Sequence, residues 1–233
     1  MATRKRRPER RQEPLSRERI VTAAVELLDT VGEGGLTFRA LSERLETGPG
    51  AIYWHVTGKT ELLVAATDAV VATIVAGDDT GATPQEAIRA LALGVFDAID
   101  AHPWLGTLLA RLPRTPGRSP MLPVFERIGR QVRALHVPEA ARFTAASALM
   151  AYILGVAGQN AANTRAARPD TDRTAFLDAT ATAWTELDPD RYSFTREVAG
   201  QLREHDDREE FLAGIDLILA GITAAGTGNR ERP

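Results

Sequence analysis

The chain has 233 residues, of which 44% are apolar and 25% charged, and it contains no cysteine. That is enough apolar material for one small and one larger buried core, and it excludes disulfides and thiolate chemistry. The formal charge of −3 hides a polarised distribution, because the first 19 residues carry eight Arg or Lys against three Glu and the remainder is acidic.

Residues 1–15 read as a disordered basic arm. Its Arg4, Lys5, Arg6 and Arg7 suit phosphates or a minor groove, where each neutralised phosphate adds affinity that salt removes. No apolar stretch follows these charges, so the segment is not a signal peptide. Nor does any apolar run approach the ~20 residues needed to cross a bilayer. The expectation is a soluble, cytoplasmic protein with no membrane partner.

From Ser16 a helical stripe of Ile20, Ala24, Leu27, Leu28 and Val31 runs to Gly32, with Gly34 and Gly35 behind it. Next, Leu36 and Leu41 can form a hydrophobic staple around Thr37, whose hydroxyl caps a short helix carrying Arg39 and Leu45. Gly48-Pro49-Gly50 then reads as a turn and a second helix start, proline occupying the first helical position. In the run Ala51 to Val56, Ile52 and Val56 face inward while Tyr53 stays outside. Trp54 is expected to be a core aromatic that locks this short helix in place. The pair, at about 36–55, forms a helix-turn-helix that presents its second helix to a major groove. From Lys59, one of two lysines in the chain, a further stripe of Leu62, Leu63, Ala66, Val70 and Ile74 leads onward.

The patterns Leu36-Thr37-x-Arg39-x-Leu41-x-x-x-Leu45 and Pro49-Gly50-x-x-Tyr53-Trp54-His55-Val56-x-x-Lys59 resemble the DNA-binding domain of the TetR (tetracycline repressor) family. The closing EEFLAGIDLILAGI is similar to the last helix of the tetracycline-repressor branch. The resemblance implies that Thr37 and Lys59 hold phosphates and that Arg39 reaches a base edge. It also places Gly48, Pro49, Gly50, Ala51, Tyr53 and His55 at the groove or the backbone beside it. Glu46 and Gly48 stand where the family usually has Gly and a capping Ser. A non-glycine residue in a left-handed turn position costs roughly 1 kcal/mol.

The expected domains are 16–76 for the three-helix, homeodomain-like unit, 77–225 for a larger helical effector-binding and dimerisation unit, and 226–233 as a disordered tail. Thr83-Pro84-Gln85-Glu86 is a capping box opening a helix with the stripe Ile88, Leu91, Ala92, Val95, Phe96 and Ile99. After His102-Pro103 comes a short helix, then a proline-rich loop. Further helices are expected over about 121–136, 138–163, 174–187, 193–203 and 207–225, the last begun by an Asp207/Glu210 box. No strand pattern competes, so the fold class is all-α.

Helices 138–163 and 207–225 read as homodimer surfaces. Ala141, Ala145, Ala148, Tyr152, Gly155 and Gly158 leave one side of the first almost without bulk, and Phe143, Ser147, Met150 and Leu154 would face the protomer core. In the second, Phe211, Ile215, Ile218, Leu219 and Ile222 would complete a four-helix interface. Polar and aromatic residues able to line an effector cavity are His102, Trp104, Tyr152, Gln159, Asn160, Asn163 and Trp184. The four histidines show no metal-ligand spacing, so neither metal nor cofactor is expected.

The reading is a repressor released from a near-palindromic double-stranded operator by a small, largely apolar effector. The other classes weighed are a sequence-tolerant architectural DNA protein and an all-α enzyme using Asp97 with His102, or Asp172 with Asp178. The enzyme reading lacks a nucleophile motif and a phosphate loop.

Overall fold

The computed structural model describes residues 14–77, 79–111, 119–166 and 172–228, and among them every regular element is helical. The basic arm of Arg4, Lys5, Arg6 and Arg7 lies outside these residues. The chain divides into two compact units, residues 1–69 and 70–233. The boundary falls inside one continuous helix.

In the first unit α1 (Arg17–Gly35), α2 (Phe38–Arg44), α3 (Pro49–Tyr53) and the opening of α4 (Lys59–Val75) share one core. Ser16 accepts from the Arg19 N–H at 3.2 Å and starts α1. Gly32, at φ 68°, interrupts helical geometry near its end, as only glycine does readily. Ile20, Leu28, Leu36, Leu41, Ile52, Val56 and Leu62 are all fully buried, as expected from spacing, whereas Val31, at the end of the expected stripe, is 56% exposed. Glu46 does take the left-handed conformation, at φ 52°, so the turn keeps a positive φ although glycine is absent.

Ion pairs brace this unit at its edges. Arg17 Nη2 meets Glu61 Oε1 at 3.0 Å, and Arg44 Nη2 meets Glu26 Oε2 at 2.6 Å. Glu61 Oε2 also accepts from both the Thr57 N–H and hydroxyl at 2.7 Å. Those two bonds, followed by the Arg17 guanidinium, hold the Glu61 carboxyl down at about 2.

The second unit is built around α5 (Pro84–Ala101) and α8 (Glu139–Ala166), with α6 (Pro103–Arg111), α7 (Leu122–Ala134) and α11 (Asp207–Gly228) packed on them. The Thr83/Glu86 capping box is present at α5. At α11 the cap is Asp206, not Asp207: its Oδ1 accepts the Arg208 and Glu209 N–H groups, both at 2.9 Å. Aspartates at 206 and 207 are equivalent by composition, and the chain's entry into the helix selects the first. Between α8 and α11 lie α9 (Arg173–Thr185), α10 (Ser193–Val198) and a 3₁₀ turn (Gln201–Glu204).

Helix α8 corrects two expectations. It is long and apolar enough to cross a membrane by length and composition, because no charge falls between Arg142 and Arg165 and its alanines sustain hydropathy without an unbroken apolar run. Its contacts with α5, α6, α7 and α11 are those of a central bundle helix. Second, the buried face consists of Ala145, Ala146, Leu149, Ile153, Ala157 and Ala161, whereas Phe143 is 74% exposed. Of the expected core face, Phe143 is thus outside, and Ser147, Met150 and Leu154 are only half-buried. Small residues line the protomer core here because neighbouring helices approach closely: a Cβ on Gly106 of α6 would sit 3.7 Å from the Gly158 Cα. In α11 likewise, Phe211, Ile215 and Leu219 are buried within the protomer, and Leu217 is 76% exposed.

For Glu61 the depressed folded value means that its contribution is complete above the ordinary carboxylate range and fades as pH falls toward 2. Glu61→Gln should lower Tm at pH 7, and a pH series of thermal melts should show the gap to the parent protein closing below about pH 4.

Candidate nucleic-acid interface

Five residues cannot hold a helix in water on their own, so α3 is positioned entirely by what it buries. Ile52 and Val56, four apart, are 0% and 1% exposed, and their burial fixes the rotation of the helix. Everything opposite them is turned outward. Gly48, Pro49 and Gly50 are exposed, Ala51 and His55 are half-buried, and Tyr53 is 52% exposed.

Trp54 is 90% exposed, which overturns its assignment to the core. The signal was present in the spacing: a residue two positions from both Ile52 and Val56 lies on the far side of a helical turn. Next to Trp54 in sequence, Tyr53 stacks on Phe38, centroids 4.4 Å apart and planes 5° from parallel, so α2 fixes a ring that remains half exposed.

Helix α2 contributes the neighbouring groups. Thr37 caps it, its hydroxyl accepting from the Ala40 N–H at 3.1 Å. Arg39 is exposed and pairs with Glu43 one turn on, Nε to Oε1 at 2.9 Å. That carboxylate, which sequence reasoning overlooked, holds the guanidinium in check on the same face. Lys59, at the first turn of α4, donates from Nζ to the Glu33 carbonyl at 2.7 Å. This contact extends the lysine across the end of α1 with its charge still exposed. Thr37, Arg39, Tyr53, Trp54 and Lys59 are thus all exposed, two of them cations, and the first turn of α3 is free of bulky side chains.

In the second unit the expected cavity residues divide. Tyr152, Gln159, Asn160 and Asn163 do line one cavity of about 230 Å³, together with Val156, His205, Asp207, Glu210 and Phe211. His102, Trp104 and Trp184 are not among its walls. Trp104 is 6% exposed and packs in the core with its ring 5.7 Å from that of His102. Tyr152 stacks on Phe211 and donates to the Phe211 carbonyl at 3.3 Å; burial, then Glu210, raises its hydroxyl pKa. Asp207 is shared by Arg173, at 2.7 Å, and His205, at 3.1 Å. Asp97 pairs with Arg208, and Asp178 with Arg203, each an ion pair between helices. Asp172 caps α9. The carboxylates weighed for acid–base work are therefore occupied structurally.

Known proteins bear on this geometry. A family model described as bacterial regulatory proteins, tetR family, matches residues 20–66, and one described as the tetracyclin repressor-like C-terminal domain matches residues 77–225. A transcriptional regulator of the TetR type from Streptomyces coelicolor has a solved structure 65% identical to this chain. It superposes with a TM-score of 0.84 over 91% of this chain and 100% of that one. An HTH-type transcriptional regulator from Saccharopolyspora erythraea is 36% identical over 110 residues, 46% of this chain and 47% of the relative. The chain thus spans about half the length of that curated relative. The structure of BioQ with its double-stranded DNA operator is 26% identical, with a TM-score of 0.57 and 91% and 99% of the two chains covered.

Because Trp54 is exposed, its removal should leave the fold intact. Trp54→Ala should change unfolding free energy by no more than about 0.5 kcal/mol, where truncating a core Trp costs roughly 3–5 kcal/mol. Denaturant titration followed by circular dichroism distinguishes the two.

Proposed function

The chain belongs to the tetR family of bacterial regulatory proteins, ligand-responsive regulators that bind DNA, and on that premise we propose that it is a homodimeric repressor released from a near-palindromic operator by a small molecule. One observation carries the reading: burial of Ile52 and Val56 turns Tyr53 and Trp54 to solvent beside Arg39 and Lys59. Proline and glycine at the start of α3 bring the backbone near the bases. Direct readout falls to Arg39 and His55, supplemented by ring and methyl contacts and by DNA shape. Thr37, Tyr53 and Lys59 set the register on phosphates, with Gly48, Pro49, Gly50 and Ala51 against the groove. The operator bound by BioQ supports double-stranded DNA as the partner, and a DNA-binding role supports a cytoplasmic location.

One short helix reads too few base pairs for useful specificity, so two copies are required. The exposed small residues Ala148, Ala151, Gly155 and Ala162 of α8 and Ala213 and Ala220 of α11, with the exposed Leu217, supply the face for a two-fold copy. A Cβ added at Gly155 or Gly158 would meet nothing within 4 Å in the protomer. This is a different selection from the one the apolar pattern alone suggested. The effector site we assign is the cavity between α8 and α11. It is more polar than a largely apolar effector needs: the carboxamides of Gln159, Asn160 and Asn163 make no hydrogen bond among the described residues. A ligand rich in hydrogen-bonding groups fits it better.

DNA fragments selected from a random pool by the full-length protein test the reading directly. A two-fold-related pair of half-sites about one helical turn apart is expected; fragments without common sequence would support an architectural protein instead. On the selected operator, Tyr53→Ala or Lys59→Ala should weaken binding by about tenfold while the dimer persists, measured by anisotropy and sedimentation. Glu43→Gln should strengthen it severalfold, since it frees Arg39 and removes a negative charge facing phosphates. Leu217→Glu with Gly155→Arg should yield a monomer.

A further inference from the structure

Among the described residues Arg127 is the one charged residue that is buried, at 5% exposure. A guanidinium is removed from water only where its donors are satisfied. Here they converge on the end of α4. Nε donates to Asp79 Oδ2 at 3.0 Å and Nη2 to Asp79 Oδ1, while Nη1 donates to the Val75 carbonyl at 3.1 Å and the Ile74 carbonyl at 3.4 Å. Those carbonyls belong to the last turn of α4, where no following amide of the helix can reach them. A cation there also meets the negative end of the helix dipole.

Gln131, one turn along α7, donates to Asp79 Oδ2 at 3.1 Å. The Arg127 hydrogen bonds, then its charge and that of its neighbours, keep Asp79 ionised below the usual carboxylate range. From another side α5 closes on the same turn: a Cβ at Gly94 would stand 3.2 Å from Ile74 Cγ2. Packing alone would leave α4 free to slide or tilt by small amounts. A forked guanidinium bonded to two carbonyls and a carboxylate fixes both position and direction.

We propose that Arg127, with Asp79, is a positioning residue for operator binding: it sets where α4 ends and so the separation at which the two reading heads of the dimer stand. The inference rests on the dimeric reading above. From Lys59 to Val75 the helix is about 24 Å long, so a tilt of about 5° at the held end displaces the other by about 2 Å. Each base pair inserted between half-sites rotates one head by about 35° around the duplex. A fixed separation therefore demands one spacing, and a loosened one tolerates several.

The test uses the full-length protein, its selected operator, and operators with one base pair added or removed between the half-sites. The parent protein should prefer the selected spacing by tenfold or more. Arg127→Met and Asp79→Asn should remain dimeric, lose affinity for the selected operator, and bind the three spacings to within about threefold of one another. A lone half-site should bind parent and variants alike. A variant that is merely less stable would lose affinity for every site equally and keep the spacing preference, which overturns the proposal. Should Arg127→Met fail to fold, Asp79→Asn asks the same question from a partly exposed position and its preserved preference overturns the proposal equally. A parent protein indifferent to spacing would instead overturn the two-headed reading, and this inference with it.

Discussion

The proposed DNA-reading face depends on the burial of two aliphatic side chains. Ile52 and Val56 disappear into the core of the first unit, and because helical residues four apart share a face, their burial dictates the outward direction of Tyr53 and Trp54. α3 has no cap side chain at Gly48 and only five residues, so it has little stability of its own. The face proposed to meet DNA exists only as the reverse of a packed core.

The groups around it are restrained rather than free. Arg39 is engaged by Glu43, Lys59 by the Glu33 carbonyl, and Tyr53 by Phe38. Exposed contacts of this kind contribute little to stability. In the proposed complex they would limit the orientations that DNA must select among, which reduces the ordering cost of binding. In the second unit the same economy appears in reverse: α8 uses alanines for its own core and leaves another set of alanines and glycines uncovered. A helix face without bulk permits a close helix–helix approach, and the exposed Leu217 gives that approach something to bury.

Much of the fold was legible because the sequence is locally consistent. Capping residues Ser16, Thr37 and Thr83 start helices where expected, and Ile20, Leu41, Ile52 and Ile88 fall on buried faces. What failed were assignments that depend on partners rather than on periodicity. Trp54 was placed inside because large aromatic rings are usually buried, although its spacing from Ile52 and Val56 argued otherwise. In α8 nearly every position is small or apolar, so periodicity could not say which side the protomer keeps. The Arg127–Asp79 link joins residues 48 apart in sequence, and no local pattern announces it. His102, Trp104 and Trp184 shared only residue type with the four residues that do meet between α8 and α11.

The central claim is that the outward face of α3 is covered by DNA. Hydroxyl-radical labelling of the full-length protein, read by mass spectrometry with and without its selected operator, tests it at single side chains. Oxidation of Tyr53 and Trp54 should fall sharply on DNA binding, while the exposed Phe176 and Phe194 should label as before. Undiminished labelling of Trp54 and Tyr53 in a saturated complex would contradict the account.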